Sequence, residues 1–434
     1  MFENYLKKFS WDFYSRFIII IYSLLQIMRL RILPQFMDIY YHLLTAWGFI
    51  QAGGYSGWDF WQYAPFGRPH IYPPVFHIIL AFLIKLGISK IILAKFFEAA
   101  MPVLFLIVIW RFIRNNYSQR LAFFVMIASS SSNSFYMSLL NHIPATLAII
   151  FGILAFEQLL KNKFMRCVLL LSLCFYTHIG VSWLFAFSVV FYGLSNKPER
   201  RFCLNIFISA IILSLPILLK QLAGLKFISV LGLNLHEKYL CQFKIFDYAL
   251  ALLGLIIVSK RGKKYRLFLS LFLASPILLI YPYRFFSAEG YLPIIFLSAV
   301  SLNTIWEKFK YKKTCLKNTV VLLVLFILFV SPTVSMEKPE SGGSISYKIY
   351  IPDSAFMNLL FPADLNRRAS FSMWLPKEYL SAAAFIKQNS QKTDIIYSSF
   401  YILGVCLASI SERATANGLF KEISNINDFD PFLV

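Results

Sequence analysis

The chain has 434 residues, 58% of them hydrophobic and 15% charged, and its mean hydropathy is +0.64. A soluble domain carries roughly 45–50% apolar and about 25% charged residues, so the composition excludes a soluble globular fold, a disordered chain and a disulfide-stapled scaffold. The formal charge is +21, from 42 Lys and Arg against 21 Asp and Glu. In so apolar a chain that excess is tested first against the retention of Lys and Arg on the cytoplasmic side of a membrane, and only then against nucleic acid.

The N-terminal segment MFENYLKKFSWDFYSR runs straight into an apolar stretch with no small-residue cleavage site behind it, the pattern of an uncleaved first span. Apolar runs lie at 13–33, 91–110, 121–138, 144–160, 167–180, 181–194, 202–219, 244–258, 267–281, 287–305 and 317–333. A crossing helix needs about 20 apolar residues, so an α-helical polytopic membrane protein with about eleven transmembrane helices is expected. The apolar segment 72–90 is left out of the count on charge. With the N-terminus cytoplasmic, the inward segments hold 21 Lys and Arg and the outward ones 7. Counting 72–90 as a span would put every later basic cluster outside. It reads instead as an interfacial or re-entrant helix, with Lys85 and Lys90 snorkelling. This topology accounts for most of the basic excess without nucleic acid.

After residue 333 the pattern changes. The tail 334–434 is close to charge-neutral, with Pro and Gly breaks (SPTVSMEKPESGGS), a helical stretch (PKEYLSAAAFIKQNS) and a strand-like run (DIIYSS). The expected division is a membrane domain over 1–333, with a large first outer loop at 34–90, and a small extracytoplasmic α/β domain over 334–434 whose C-terminal limit the sequence leaves open. The six cysteines contain no CxxC spacing and point to no zinc or redox motif.

The acids are few. Residues 1–333 hold eleven carboxylates; on this topology Asp38, Asp59, Glu237, Asp247 and Glu289 fall near the outer face, and Glu98 falls inside a span. A carboxylate at such a depth is costly unless paired or used. Asp38 and His42, four apart, share one face of a helix. Such a carboxylate serves as a general base, or with an imidazole as a divalent-metal ligand, or simply as a helix cap. Farther along the loop Trp58, Asp59, Trp61, Tyr63, Arg68, His70, Tyr72 and His77 crowd together. Rings, carboxylates and an Arg are the parts of a sugar or phosphate site. An interfacial aromatic belt would explain the rings but not Asp59 or Arg68. Asn141-His142 and Tyr176-Thr177-His178 lie at outer span ends, where a lone His is more often a packed polar residue than a ligand, although both fall on the same side as Asp38. Arg284, in YPYRFFSAEGYLP, either snorkels or grips an anion bidentately. Arg29 and Arg31, ahead of Asp38, face lipid headgroups or a phosphate.

In this order the residues resemble the GT-C class of membrane glycosyltransferases, and within it the chain is most similar to the oligosaccharyltransferase catalytic subunit family. The resemblance spans nearly the whole chain. It rests on MDIYYHLL, WDFWQYAPFGRPHIYPP, LLNHIPATL, the Arg-Phe at Arg284-Phe285 and the tail segment beginning SAAAFIKQNS. It implies a GT-C-like fold and a first-loop Asp, here Asp38, that binds a divalent cation. The family's second acidic motif falls on Asn141 and His142, so His142 becomes the second metal candidate. The Arg that holds the lipid diphosphate matches Arg284, and the outer-loop Glu matches Glu237. The family's Trp-Trp-Asp motif is replaced by Ser398-Ser399-Phe400, which argues against its acceptor sequence and for another acceptor or for lost activity.

The implied reaction moves a sugar or oligosaccharide from a polyprenyl phosphate or diphosphate to an unnamed acceptor on the extracytoplasmic face of the cell membrane. Asp38, Asp59 and Glu237 are the expected catalytic acids. Arg284 and Arg68 hold the donor phosphate. His42, His142, His178, Asn141, Trp58 and Tyr72 line the site, and Asp38 with His142 would hold Mg or Mn. The partners are the lipid-linked donor and membrane lipids. A transporter or flippase of the same lipid is the rival of another class, opposed by polar residues that gather at one face. An inactive scaffold is the third reading.

Overall fold

The computed structural model describes residues 10–34, 38–224, 241–280, 282–309, 314–337, 346–350, 378–399 and 401–418. It is mostly helical. The first helix, Trp11–Arg29, starts where the Ser10 hydroxyl accepts from the Phe13 N–H at 3.2 Å. Phe13, Phe17, Ile20, Leu24 and Ile27 form an exposed stripe along it, at the three- and four-residue steps of one helix face. Leu204, Ile208, Ile212, Leu215, Leu219 and Leu222 do the same on Arg200–Gly224. Apolar stripes turned away from the core are the reverse of a soluble helix and fit a hydrocarbon solvent. The protein is a membrane protein.

Each apolar run of the sequence is helical over most of its length, but the helices are unequal. Among the described residues Lys90–Asn116, Ile143–Leu160, Lys197–Gly224 and Pro282–Lys308 are long and apolar enough to cross a membrane. Others are cut short by identifiable residues. The run at 121–138 divides into Gln119–Ser129 and Asn133–Asn141. There the Ser129 and Ser130 hydroxyls donate back to the Val125 and Met126 carbonyls, both at 2.8 Å, and Ser132 caps the next helix. Ser275-Pro276 turns the end of the run at 267–281 into a 3₁₀ segment, Ser275–Ile280. The segment 72–90 contains one helix, Val75–Lys85, opened by Pro73-Pro74 and followed by Gly87 at φ +86°. Its length, about 16 Å, is half of a hydrocarbon core of roughly 30 Å.

Several charged groups inside the bundle are paired. Arg29 donates to Glu98 at 2.8 Å and to the Tyr136 hydroxyl at 3.1 Å. Lys244 donates to the Ser131 carbonyl at 2.7 Å, and Asp247 accepts from Ser131 at 2.8 Å and from Tyr291. Lys244 ends the strand Cys241–Lys244, which pairs antiparallel with Thr333–Glu337, itself paired with Ser346–Tyr350. The sheet therefore joins a strand from the middle of the chain to strands that follow the last apolar run.

The first loop begins with helix Asp38–Gln51 and continues as a hairpin of Trp58–Asp59 with Arg68–Pro69. The described part of the tail holds helices Glu378–Asn389 and Tyr401–Ser411 and the parallel pair Ile395–Ile396 and Ala414–Thr415. Loop and tail are stitched together. The Ala64 N–H donates to the Thr415 carbonyl and the Thr415 N–H to the Trp61 carbonyl, each at 3.0 Å. Lys90, at the start of the helix that follows the loop, donates to the Ser409 carbonyl at 2.8 Å.

Candidate active site

Three helix starts meet beside the first loop. Asp38 opens helix Asp38–Gln51. His142 separates Asn133–Asn141 from Ile143–Leu160 because Pro144 has no N–H to continue the first helix. His178 caps Ile179–Ser195, its Nδ1 accepting from the Val181 N–H at 3.2 Å. The N-terminal ends of helices carry partial positive charge, so their convergence favours an anion.

Asp38 and His142, 104 positions apart, are hydrogen-bonded: His142 Nδ1 lies 2.9 Å from Asp38 Oδ2. Both side chains stay partly open, at 15% and 16% exposure. The Arg284 guanidinium lies 3.2 Å from His178 Nε2 and 2.5 Å from Glu289 Oε1. A neutral imidazole has one acceptor nitrogen, so His178 serves Val181 or Arg284 but not both at once. The two halves are joined by tyrosines. The Tyr283 ring faces His142 at 6.0 Å, and Tyr283 directly precedes Arg284 in the short helix Pro282–Phe286. Tyr72 lies against His42 at 5.5 Å and His178 at 6.4 Å. Behind them His42 Nδ1 lies 2.8 Å from His77 Nε2. Burial pushes His42 down to about 4, so it is neutral near pH 7. His70, next to His77, is held down to about 3 by burial, with the Arg68 charge adding to it.

Of the residues named from the sequence, Asp38, His42, His142, His178, Arg284 and Tyr72 thus share one region. Asn141 precedes His142 at the helix end and is half-buried. Asp59, Arg68 and Trp58 are placed elsewhere, in the hairpin. Asp59 is fully buried and accepts from the Gln62 N–H at 3.0 Å, the Gln62 amide at 2.7 Å and Arg68 at 3.3 Å. Burial raises its carboxyl to about 6, against the pull of Arg68. Arg68 also lies over the Tyr63 ring at 4.8 Å. Trp58 is half-exposed, its indole donating to the Phe66 carbonyl at 3.1 Å. Asp59 and Arg68 answer each other and brace the loop. Glu237 lies outside the described residues. Tyr283 carried no signal of its own in the sequence, while Glu289 and His77 stood among the outer-face acids and the loop cluster without being assigned to the site. Glu289 had a usable signal, since it follows Arg284 by five residues in the same outer segment.

The expected divalent cation was tested on the donor set. Asp38 and His142 bring one carboxylate and one imidazole, and these are hydrogen-bonded to each other. Among the described residues no group of three His, Cys, Asp or Glu side chains comes together. Mg is commonly held by one or two carboxylates, with waters and substrate phosphates completing its shell. Of the described residues, Asp38 and His142 are the two that would hold such an ion.

No protein-family model matches the chain, and no curated protein is similar to it in sequence. Solved structures are similar in fold. Archaeal oligosaccharyltransferase AglB from Archaeoglobus fulgidus, in complex with an inhibitory peptide and a dolichol-phosphate, superposes with a TM-score of 0.62 at 12% identity. That match covers 96% of this chain and 65% of the archaeal one, so the chain spans a little under two thirds of its length. The apo form of the Archaeoglobus fulgidus oligosaccharyltransferase gives 0.61 at 11% identity, covering 94% and 65%. Its complex with Zn and sulfate gives 0.59 at 13%, covering 93% and 62%. The chain therefore has the fold of the oligosaccharyltransferase catalytic subunit, with sequence likeness too low to carry more than the fold.

Proposed function

We propose that this protein is a GT-C glycosyltransferase that moves a saccharide from a polyprenyl phosphate or diphosphate to an acceptor, in the region between Asp38–His142 and Arg284, on the extracytoplasmic side of the membrane. One observation carries the reading. A partly exposed guanidinium, Arg284, stands among helix N-termini in the same region as a carboxylate–imidazole pair. A phosphate leaving group departs with negative charge, and a fixed cation in its path stabilises that charge as the bond breaks. Glu289 holds one side of the guanidinium, so Arg284 is oriented before the donor arrives. His178 borders it, and Tyr72 and Tyr283 offer ring faces for a sugar. Asp59, Arg68 and Trp58 support this region from the hairpin. The archaeal structure in complex with a dolichol-phosphate is consistent with a lipid-linked donor.

The test uses the whole protein in detergent with a long-chain polyprenyl phosphate as the probe. The unaltered protein is expected to bind it, and Arg284→Gln to weaken binding by at least about tenfold, the loss of one charge-assisted contact. Equal binding by the two proteins would remove Arg284 from the donor site and the reading with it.

A further inference from the structure

A second polar cluster lies outside the candidate site, where the first helix ends beside the start of helix Lys90–Asn116. Gln26 and Arg29 from one helix and Lys95 and Glu98 from the other line a cleft, together with the apolar Ile32 and Leu33. The cleft is open on one side and narrow, with room for a group about the size of a water or a hydroxyl. Its charges are unequal. Arg29 is paired with Glu98 at 2.8 Å, while Lys95 has no carboxylate partner among the described residues. Two cations against one carboxylate leave the lining with a net positive charge. One polar atom is unsatisfied as well. Gln26 is 2% exposed and its amide donates to the Tyr136 hydroxyl at 2.6 Å, but its Oε1 is buried without a hydrogen-bond partner among the described residues. A buried acceptor is costly to leave unpaired, most of all beside hydrocarbon. The cleft therefore lacks one negative charge at Lys95 and one small donor at Gln26. Around it the same two helices expose Met28, Ile92 and Phe96. On the orientation argued from charge, both helix ends stand at the outer membrane surface.

We propose that this cleft holds the headgroup of an anionic phospholipid that carries hydroxyls, of the phosphatidylglycerol type. The phosphodiester supplies the single negative charge and accepts a charge-assisted bond from Lys95. A headgroup hydroxyl enters the cleft and donates to Gln26 Oε1, and the acyl chains lie along the exposed Met28, Ile92 and Phe96. An ethanolamine headgroup has no net charge, and its ammonium would enter beside Arg29 and Lys95. A choline headgroup is too bulky for the cleft and brings no donor. The inference goes beyond the donor reading and does not rest on it, since the cleft shares no residue with the region of Asp38 and Arg284.

The experiment titrates the whole protein in detergent with one dioleoyl lipid at a time and counts bound lipid by native mass spectrometry. The unaltered protein should bind phosphatidylglycerol at least about tenfold more tightly than phosphatidylethanolamine. It should prefer phosphatidylglycerol by about threefold over phosphatidylmethanol, which has the same charge and no hydroxyl. Lys95→Gln should lose about tenfold in affinity for phosphatidylglycerol. Gln26→Leu should erase the difference between phosphatidylglycerol and phosphatidylmethanol. Lys85→Gln, which alters an exposed lysine outside the cleft, should change neither. Equal binding of the three lipids by the unaltered protein, as a cleft filled by water alone would give, overturns the proposal. So does an undiminished affinity in Lys95→Gln, or a loss in Lys85→Gln as large as in Lys95→Gln. Expulsion of bound phosphatidylglycerol by equimolar polyprenyl phosphate also overturns it and gives the cleft to the donor. Arg284→Gln should bind phosphatidylglycerol as the unaltered protein does, so failure here and failure of the donor reading are told apart.

Discussion

Asp59 and Arg68 show how a residue's role depends on its neighbour. Each alone is the kind of group a phosphate or sugar site uses. Buried together in the hairpin at 3.3 Å, with Gln62 filling the carboxylate's remaining positions, they form an internal brace. Removing one partner of a buried pair costs more than the pair contributes, because a desolvated charge loses its complement. Asp59→Ala is therefore expected to destabilise the protein by about 3–5 kcal/mol, read as a lowered unfolding midpoint in detergent. The double change Asp59→Ala with Arg68→Met should recover much of that loss. A midpoint unaffected by Asp59→Ala would return Asp59 to the list of groups with another task. The sequence showed that these residues were unusual in an apolar loop. It could not show that they face each other, because that follows from the register of Trp58–Asp59 against Arg68–Pro69.

At the level of elements, hydropathy located the helices well and their lengths poorly. Apolar side chains mark where a segment is buried or lipid-facing, while Ser129–Ser132, Pro144 and Pro276 decide where hydrogen bonding breaks. One of those breaks places His142, so the interruption matters more to the site than the run it interrupts. Close packing between elements depends on single small residues. A Cβ on Gly254, in helix Ile245–Ser259, would come within 2.0 Å of the Leu297 carbonyl oxygen in helix Leu292–Phe309. The obstacle is backbone and cannot rotate aside. Gly254→Leu should push apart this pair of helices, one carrying Asp247 and the other beginning directly after Tyr291. The cost is expected to be at least about 1–3 kcal/mol, seen as a lower thermal midpoint and loss of a monodisperse peak in size-exclusion chromatography. Gly254→Ser should do less damage, and no change with Gly254→Leu would contradict this packing.

At the scale of the whole molecule, the charge distribution makes an orientation testable. With the basic clusters cytoplasmic, the first loop and the Asp38 region face outward. In a protein whose native cysteines have been replaced, a membrane-impermeant maleimide should label Ala52→Cys in intact cells and Lys263→Cys only after permeabilisation. The opposite pattern would invert the orientation and put the proposed chemistry on the cytoplasmic side. Composition and the spacing of apolar residues determined that this is a helical membrane protein, and the scarcity of acids reduced the candidate groups to a handful. Both are sums over local side-chain preferences for water or hydrocarbon, which a chain carries wherever it folds. Which of those groups meet was decided by packing alone. The bond between Asp38 and His142, the setting of Arg284 between His178 and Glu289, and the withdrawal of Asp59 into the loop join residues by contacts a few ångströms long. Such contacts exist only after helices far apart in the chain have been brought side by side.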